Sequence, residues 1–127
     1  AILAYHSSLV EGTHLVDTLL SLNVSVVKVF APEHGFRGDK SDGAFIGDSK
    51  DEKTGLPIVS IYGKNKYMPV TLLEDVDVLI FDIQDVGVRF FTYISAMHYA
   101  MQACAESATQ FLSHQPTIHI YQLIPCL

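Results

Sequence analysis

The sequence predicts an α/β fold in which a largely parallel sheet carries helices on both faces. Residues 24–30 are rich in β-branched side chains and too short for a helix, which is typical of a mostly buried strand. Residues 76–82 form a nearly continuous apolar run, as expected of a central strand covered on both faces. A helical apolar stripe precedes residues 24–30 and follows a short apolar start. This order predicts a parallel β-α-β unit with a right-handed crossover.

The first half of the chain is divided as follows. Residues 1–5 are a short apolar strand, and a helix with an apolar stripe at residues 15–22 begins at a Thr13 cap and ends at Asn23. The second strand covers residues 24–30. Residues 31–54 contain repeated glycines and acidic side chains and are predicted to be a long loop, which in a compact domain is usually functional or mobile.

The second half repeats the alternation of strand and helix. Residues 57–62 are the third strand, and one or two helical turns follow Pro69 at residues 70–74. Residues 76–82 are the fourth strand. The last helix begins at a Thr92 cap and ends near Glu106, and its apolar stripe is predicted to consist of Ile94, Met97, Met101 and Cys104.

Composition excludes several classes of function. The 127 residues suffice for one modest domain, and the formal charge of −6 argues against binding to a nucleic acid backbone. The two cysteines lack the spacing of a zinc site, and no apolar run approaches the 18 residues or so of a membrane span. Neither a dinucleotide fingerprint nor a phosphate-binding loop is present, so no cofactor is expected.

Ionisable side chains concentrate in two loops that each follow a strand. Glu33, His34 and Arg37 follow the second strand, and the segment from Asp82 to Arg89, which includes Gln84 and Asp85, follows the fourth. Ligands of parallel α/β sheets bind outside the carboxyl ends of the strands. The two loops are therefore predicted to share one rim of the sheet.

This pattern leaves several roles open. Glu33 suits a general acid, because partial burial at a strand end favours a protonated carboxyl, but a Glu-Arg pair that holds the loop fits the spacing equally. Asp82 has a catalytic and a structural interpretation, since a carboxylate at the end of a buried strand must be paired or cap backbone amides. Two carboxylates across a cleft suit glycoside hydrolysis. The same carboxylates with His34 could bind a divalent metal, although no recognised ligand spacing supports this.

The remaining histidines and tyrosines have more ordinary interpretations. His6 and His14 show no spacing that indicates a site and are expected to be surface or hydrogen-bonded core residues. Tyr93 and Tyr99, on the last helix, are expected to be packing residues more often than a sugar platform, although Tyr93 lies near the second loop.

Three separated motifs resemble one family. They are Phe-Ala-Pro-Glu-His-Gly-Phe-Arg-Gly at residues 30–38, Thr-Gly-Leu-Pro at 54–57 with Ser-Ile-Tyr-Gly at 60–63, and the segment 75–89 followed by Thr-Tyr-Ile-Ser at 92–95. Together they resemble the NamZ-type exo-β-N-acetylmuramidases, over residues 9–106. The resemblance implies a Rossmann-like N-terminal domain and a bacterial glycosidase that releases N-acetylmuramic acid from the non-reducing ends of peptidoglycan fragments.

The resemblance also implies roles for individual residues. The family's proposed catalytic glutamate falls on Glu33, and Asp82 or Asp85 would supply the second carboxylate or orienting groups. Gln84 and Arg89 would line the cleft with them, and Tyr93 would lie beside it. We further expect His34 or Arg37 to contact the lactyl carboxylate of the sugar. No metal is implied.

Two departures from the family pattern are visible. Such proteins usually have Asn-Gln-Thr-Ser or a near variant after the first strand, where this chain has Tyr5-His6-Ser7-Ser8. After Glu106 the motifs stop. We therefore expect residues 1–127 to be a Rossmann-like catalytic domain that is incomplete at its C-terminus, with a divergent tail at 107–127 and a C-terminal domain missing. A non-catalytic sugar-binding domain, an inactive fragment and a metal-dependent hydrolase are the alternatives. The implied substrate favours a periplasmic or secreted location.

Overall fold

A computed structural model of the chain describes residues 1–32, 36–37, 49–61, 67–85 and 92–113. In chain order the elements are β1 (Ile2–Ala4), β2 (Leu9–Val10), β3 (Thr13–His14), α1 (Leu15–Ser21), β4 (Val29–Ala31), β5 (Ser49–Lys50), β6 (Pro57–Ser60), a 3-10 turn (Val70–Leu73), β7 (Val78–Asp82), α2 (Tyr93–Ser107) and β8 (Gln110–Ser113). Neither helix in this part of the chain is both long and apolar enough to cross a membrane.

Six strands of the described residues form one sheet in the order β5-β6-β4-β1-β7-β8. β1 is hydrogen-bonded in parallel to β4 on one side and to β7 on the other, so that Ile2 lies opposite both Val29 and Ile80. β6 and β8 extend the parallel pairing outward, and the short β5 is antiparallel to β6. The predicted α/β fold with a largely parallel sheet is confirmed. All five parallel strands end at one edge, which we call the carboxyl edge.

Side chains of the central strands alternate between two cores on opposite faces. Ile2 and Ala4 pack with α1, whereas Leu3, between them, packs with α2. Phe30 likewise faces the α2 core while its neighbours in β4 face α1. Because successive side chains of a strand point to opposite faces, a strand buried on both faces must be apolar throughout. The sheet is therefore the middle of three layers, as predicted.

The first helix ends where the sequence indicates, but its N-cap lies one residue after the predicted one. Asn23 has a left-handed φ of 59°, its N–H donates to Leu20, and the N–H of Val24 donates to Leu19, which together form a Schellman motif. Its N-cap is His14, not the predicted Thr13. Thr13 instead pairs with Val10 in a hairpin that the sequence analysis did not predict. Within that hairpin Gly12 has a φ of 82°, which favours glycine.

Several strand boundaries differ from the prediction. β4 covers only Val29–Ala31. The β-branched run begins with exposed residues directly after the end of α1, and these connect the helix to the strand without pairing in the sheet. The predicted loop at 31–54 includes β5, a two-residue edge strand whose side chains are exposed. The 3-10 turn after Pro69 lies where helical turns were expected.

The second helix has nearly the predicted bounds but a different buried face. Ala100, Ala103 and Cys104 are buried, whereas Ile94 and Met101 are 50% and 48% exposed. The predicted apolar stripe was wrong in these two positions, because small alanines, and not the larger apolar residues, allow α2 to lie close to the sheet. Thr92 is the N-cap, as predicted, although its side chain makes no capping hydrogen bond.

The chain stays ordered beyond Glu106, where the sequence pattern ended. Ala108 adopts a left-handed conformation with φ of 58°, and the N–H of Thr109 donates to Cys104, which closes the helix. The chain then enters β8, which pairs in parallel with β7. Residues 107–113 are therefore part of the fold and not a divergent tail. Residues 114–127 lie outside the described residues.

A stability prediction follows from the conformation of Ala108. A left-handed residue with a Cβ is strained, so Ala108→Gly should raise the free energy of unfolding by about 1 kcal/mol. Ala105→Gly is the matched control. It replaces an exposed alanine inside α2 and should lower the same quantity by about 1 kcal/mol. Urea unfolding measures both, and a loss of stability in Ala108→Gly would contradict the strained cap.

Candidate functional site

The predicted site residues are divided between described and undescribed parts of the chain. Glu33, His34 and Arg89 lie outside the described residues. Asp82, Gln84 and Asp85 follow one another at and after the end of β7, and Tyr93 opens α2. Arg37 lies in a described pair, Phe36 and Arg37, that sits close to Asp17 and Asp51.

Asp82 and Asp85 lie at the carboxyl edge. Asp82 is the last residue of β7 and pairs with Ala4, the last residue of β1. Asp85 follows three residues later and is 9% exposed, while Gln84 between them is exposed. A buried carboxylate and an exposed amide therefore occur together in one short segment beside the centre of the sheet.

Parallel pairing also brings the end of β4 to this edge. β4 ends at Ala31, and Pro32 leads directly to Glu33. β4 and β7 flank β1 on its two sides, so their ends are two strand spacings apart, or roughly 10 Å between backbones. Side chains that lean toward each other from such positions can reach the separations of about 5 to 9.5 Å that glycosidase carboxylates show.

The loop after β1 is held by hydrogen bonds that the sequence analysis did not predict. The N–H of Tyr5 donates to the Ser8 hydroxyl at 3.1 Å, and that hydroxyl donates in turn to the carbonyl of Asp82. The carbonyl of Tyr5 accepts from the N–H of Ser8 at 3.0 Å. The buried Ser8 therefore ties the loop after β1 to the end of β7.

His14 holds the same loop from the other side. Its Nε2 lies 3.1 Å from the Tyr5 carbonyl, and its Nδ1 accepts from the N–H of Val16 at 3.3 Å as the cap of α1. These two contacts require a neutral ring with its proton on Nε2. Burial lowers the pKa of His14 below its ordinary value, and the nearby Arg37 guanidinium lowers it further. His14 is thus a hydrogen-bonded core histidine, as expected from the sequence.

Arg37 is the centre of an ion-pair cluster. Its Nε and Nη2 donate to the two carboxylate oxygens of Asp51, each at 2.7 Å, and its Nη1 and Nη2 donate to Asp17 at 3.2 and 3.1 Å. Asp51 also accepts from the hydroxyl and the N–H of Thr54, and Lys53 donates to Asp17 at 2.6 Å. The Arg37 guanidinium holds the pKa of Asp51 at about 2.

The cluster changes what Arg37 can offer a ligand. Two carboxylates take four of its five N–H groups, which leaves one on Nη1. A bidentate contact to a substrate carboxylate would have to displace Asp17 or Asp51. The cluster also joins α1 to the segment after β5. Among the described residues, the partners of Arg37 are aspartates 14 and 20 residues away in the sequence.

An aromatic contact connects the two anchored loops. The ring of Phe36 lies 4.5 Å from the ring of His14, edge to face, and 4.8 Å from the Arg37 guanidinium. Phe36 is buried against the α1 core. The chain segment that follows Glu33 by three residues is thereby fixed against the loop that follows β1.

Two further observations concern other parts of the fold. Within the described residues, no three side chains of the metal-binding types are grouped closely enough to hold an ion. A cavity of about 550 Å³ lies at the opposite edge of the sheet, where β7 begins and α2 ends, and Glu74 and Asp77 are among its lining residues. Asp82 and Tyr93 lie at the other ends of β7 and α2, so we assign this cavity no role in the site.

Comparisons with known proteins show what the chain is similar to. The family model described as exo-beta-N-acetylmuramidase NamZ, N-terminal, matches residues 1–113, which extends past the motifs that ended at Glu106. The peptidoglycan beta-N-acetylmuramidase NamZ of Bacillus subtilis (strain 168) is 49% identical over 90 residues, which are 71% of this chain and 22% of the relative. The chain thus spans about a fifth of that protein's length.

Solved structures show the same similarity. Crystal structures of two DUF1343 family proteins from Bacteroides fragilis NCTC 9343 match the fold with TM-scores of 0.78 and 0.70, at 38% and 41% sequence identity. Each match covers 88% of this chain and 28% of the other chain.

The Arg37 cluster predicts a stability loss on charge removal. Asp51→Asn should lower the free energy of unfolding by about 3 kcal/mol, because the half-buried guanidinium loses its bidentate partner. Asp75→Asn is the matched control, since Asp75 pairs with Lys28 and its side chain is 58% exposed. That change should stay below about 1 kcal/mol. Equal losses in the two variants, measured by urea unfolding, would show that the cluster stabilises no more than a surface pair.

His14 predicts a pH dependence of stability. Its folded pKa lies below the ordinary value of 6.5, so the folded state resists the proton that the unfolded chain accepts. Stability should therefore be complete above about pH 6.5 and decline as the pH falls toward the lowered pKa. His14→Asn retains a capping acceptor but does not titrate in this range. The free energy of unfolding of this variant should therefore lack the slope, as urea unfolding at a series of pH values measures. A slope between pH 7 and 5 that survives the substitution would contradict the assignment.

Proposed function

Because this chain belongs to the family of NamZ N-terminal domains, we propose that it forms the catalytic part of a peptidoglycan-directed exo-glycosidase. The proposed enzyme releases N-acetylmuramic acid from the non-reducing ends of cell-wall fragments. The observation that carries the proposal is the common carboxyl edge, where β1, β4 and β7 end side by side and where Asp82, Asp85 and the residue before Glu33 all lie. The substrate implies a location outside the cytoplasm.

In the proposed mechanism Glu33 is the general acid and base. It protonates the oxygen of the leaving group as the glycosidic bond breaks, and a carboxylate of Asp82 or Asp85 acts from the other side of β1 as nucleophile or as base for water. The acid is needed because negative charge develops on the leaving oxygen as the bond breaks. The second carboxylate is needed because positive charge develops on the sugar ring, and a nearby carboxylate stabilises this oxocarbenium-like transition state.

The remaining residues are proposed to bind the sugar. Gln84 is exposed beside Asp85 and can donate to a ring hydroxyl or to the acetamido group. Arg89, which follows Asp85 by four residues in the sequence, is proposed to line the cleft with it. For the lactyl carboxylate we propose His34, with the one N–H of Arg37 that Asp17 and Asp51 leave unused as a secondary contact. No metal takes part in this mechanism.

Substitution of Glu33 tests the proposal. Glu33→Gln, made in this chain and in the longest polypeptide that its gene encodes, should lower kcat/KM for a chromogenic N-acetylmuramic acid glycoside by at least about 100-fold, because an amide cannot transfer the proton. Glu74→Gln is the matched control, because Glu74 is exposed and lies far from the carboxyl edge. Its turnover should equal that of the unsubstituted protein.

Other outcomes separate the alternatives. Unchanged turnover in Glu33→Gln would remove this residue from the mechanism. Sugar binding without hydrolysis in every form of the protein would favour the non-catalytic sugar-binding domain. Loss of activity in a chelator, restored by a divalent cation, would favour the metal-dependent hydrolase.

A further inference from the structure

The segment after β1 carries an aromatic group that the proposed mechanism does not use. Tyr5 directly follows β1, and its ring lies 4.0 Å from the ring of His6 and 5.6 Å from the ring of Tyr93 at the start of α2. We call Tyr5, His6 and Tyr93 the aromatic rim. Since β1 and β7 end together, the rim lies beside Asp82 at the centre of the carboxyl edge.

The three rings differ in what they expose. Tyr93 is 8% exposed and belongs to the α2 core, so it can offer a ligand little surface. Tyr5 is half-buried and packs on that core, and His6 is exposed. Tyr93 therefore packs against the ring of Tyr5 as part of the α2 core, and Tyr5 and His6 are the more exposed members of the rim.

The position of Tyr5 is fixed before any ligand arrives. Its N–H is bound by the Ser8 hydroxyl, and its carbonyl is bound by the N–H of Ser8 and approached by Nε2 of His14. Ser8 and His14 are both buried. A group whose backbone is held on both sides loses little conformational freedom on binding, which is the condition for a preorganised contact.

An aromatic face at this place suits a pyranose. One face of a sugar ring carries axial C–H bonds that pack on an aromatic side chain, while its hydroxyls point outward to polar groups. A ring that rests on Tyr5 would have Asp82 on one flank and the chain segment that leads to Glu33 on the other, because β1 lies between β7 and β4.

We propose that Tyr5, supported by Tyr93 and bordered by His6, is a stacking platform for the pyranose ring of an N-acetylated amino sugar. The proposal rests on the proposed function and adds a residue that binds the sugar without taking part in proton transfer. It also assigns Tyr93 the role of a positioning residue, which acts through Tyr5.

Binding measurements with the β-methyl glycoside of N-acetylmuramic acid test the platform. Saturation-transfer NMR should show contact with the C–H protons of one sugar face, and Tyr5→Leu should raise Kd about tenfold, because it keeps apolar bulk but has no ring face. Tyr5→Phe keeps the ring and should bind within about twofold of the unsubstituted chain. The free energy of unfolding of each variant, measured in parallel, separates binding from folding.

Tyr67→Ala is the matched control. Tyr67 is 69% exposed, and its ring lies 4.5 Å from the ring of Tyr99, which is on α2 six residues beyond Tyr93. Its removal should leave Kd unchanged. Unchanged Kd in folded Tyr5→Leu, or a tenfold loss in Tyr5→Phe, would overturn the platform while leaving the glycosidase proposal intact. Absence of sugar binding by the unsubstituted chain would also overturn the platform, whereas the turnover of Glu33→Gln decides the glycosidase proposal.

Discussion

The parallel pairing of β1 with both β4 and β7 is the constraint on which the rest of the structure depends. All three residues of β1 are buried, and their side chains alternate between the α1 core and the α2 core. A shift of either neighbour by one residue would exchange the two faces and place Phe30 or Phe81 in the wrong core. The register is therefore fixed by packing on both sides. The same register brings the ends of the three strands to one edge. Packing of the core therefore also determines where the residues that follow these strands begin.

Two different kinds of interaction hold the loops at that edge. The loop after β1 depends on neutral hydrogen bonds from Ser8 and His14. The Phe36-Arg37 segment depends on the charges around Arg37, which connect it to α1 and to the residues after β5. Phe36 contacts both His14 and Arg37, so the two systems meet at one ring. The loop after β1 is thereby connected through Phe36 to the ion pairs that join α1 to the residues after β5.

Sequence patterns predicted the parts of this structure that local chemistry controls. The apolar run of β7, the end of α1 at Asn23 and the start of α2 at Thr92 were all recognised, because each depends on neighbouring residues. β8 and the cap at Ala108 were missed, since an exposed edge strand has no apolar alternation and alanine gives no signal of a left-handed turn. The partners of Arg37 were missed because Asp17 and Asp51 are distant in the chain and only the fold brings them together. Ser8 and His14 were missed because their partners are backbone N–H and carbonyl groups, which every residue type carries.

The order of the strands also bears on how catalysis could be organised. β1 lies between β4 and β7, so a sugar bound over Tyr5 would lie one strand spacing, about 4.8 Å, from each neighbour. One neighbour leads to Glu33 and the other ends at Asp82. In the proposed mechanism the central strand thus supplies binding and the two flanking strands supply the carboxylates. Because binding and proton transfer come from different strands, substitutions at Tyr5 change affinity through stacking, whereas substitutions at Glu33 change the chemical step.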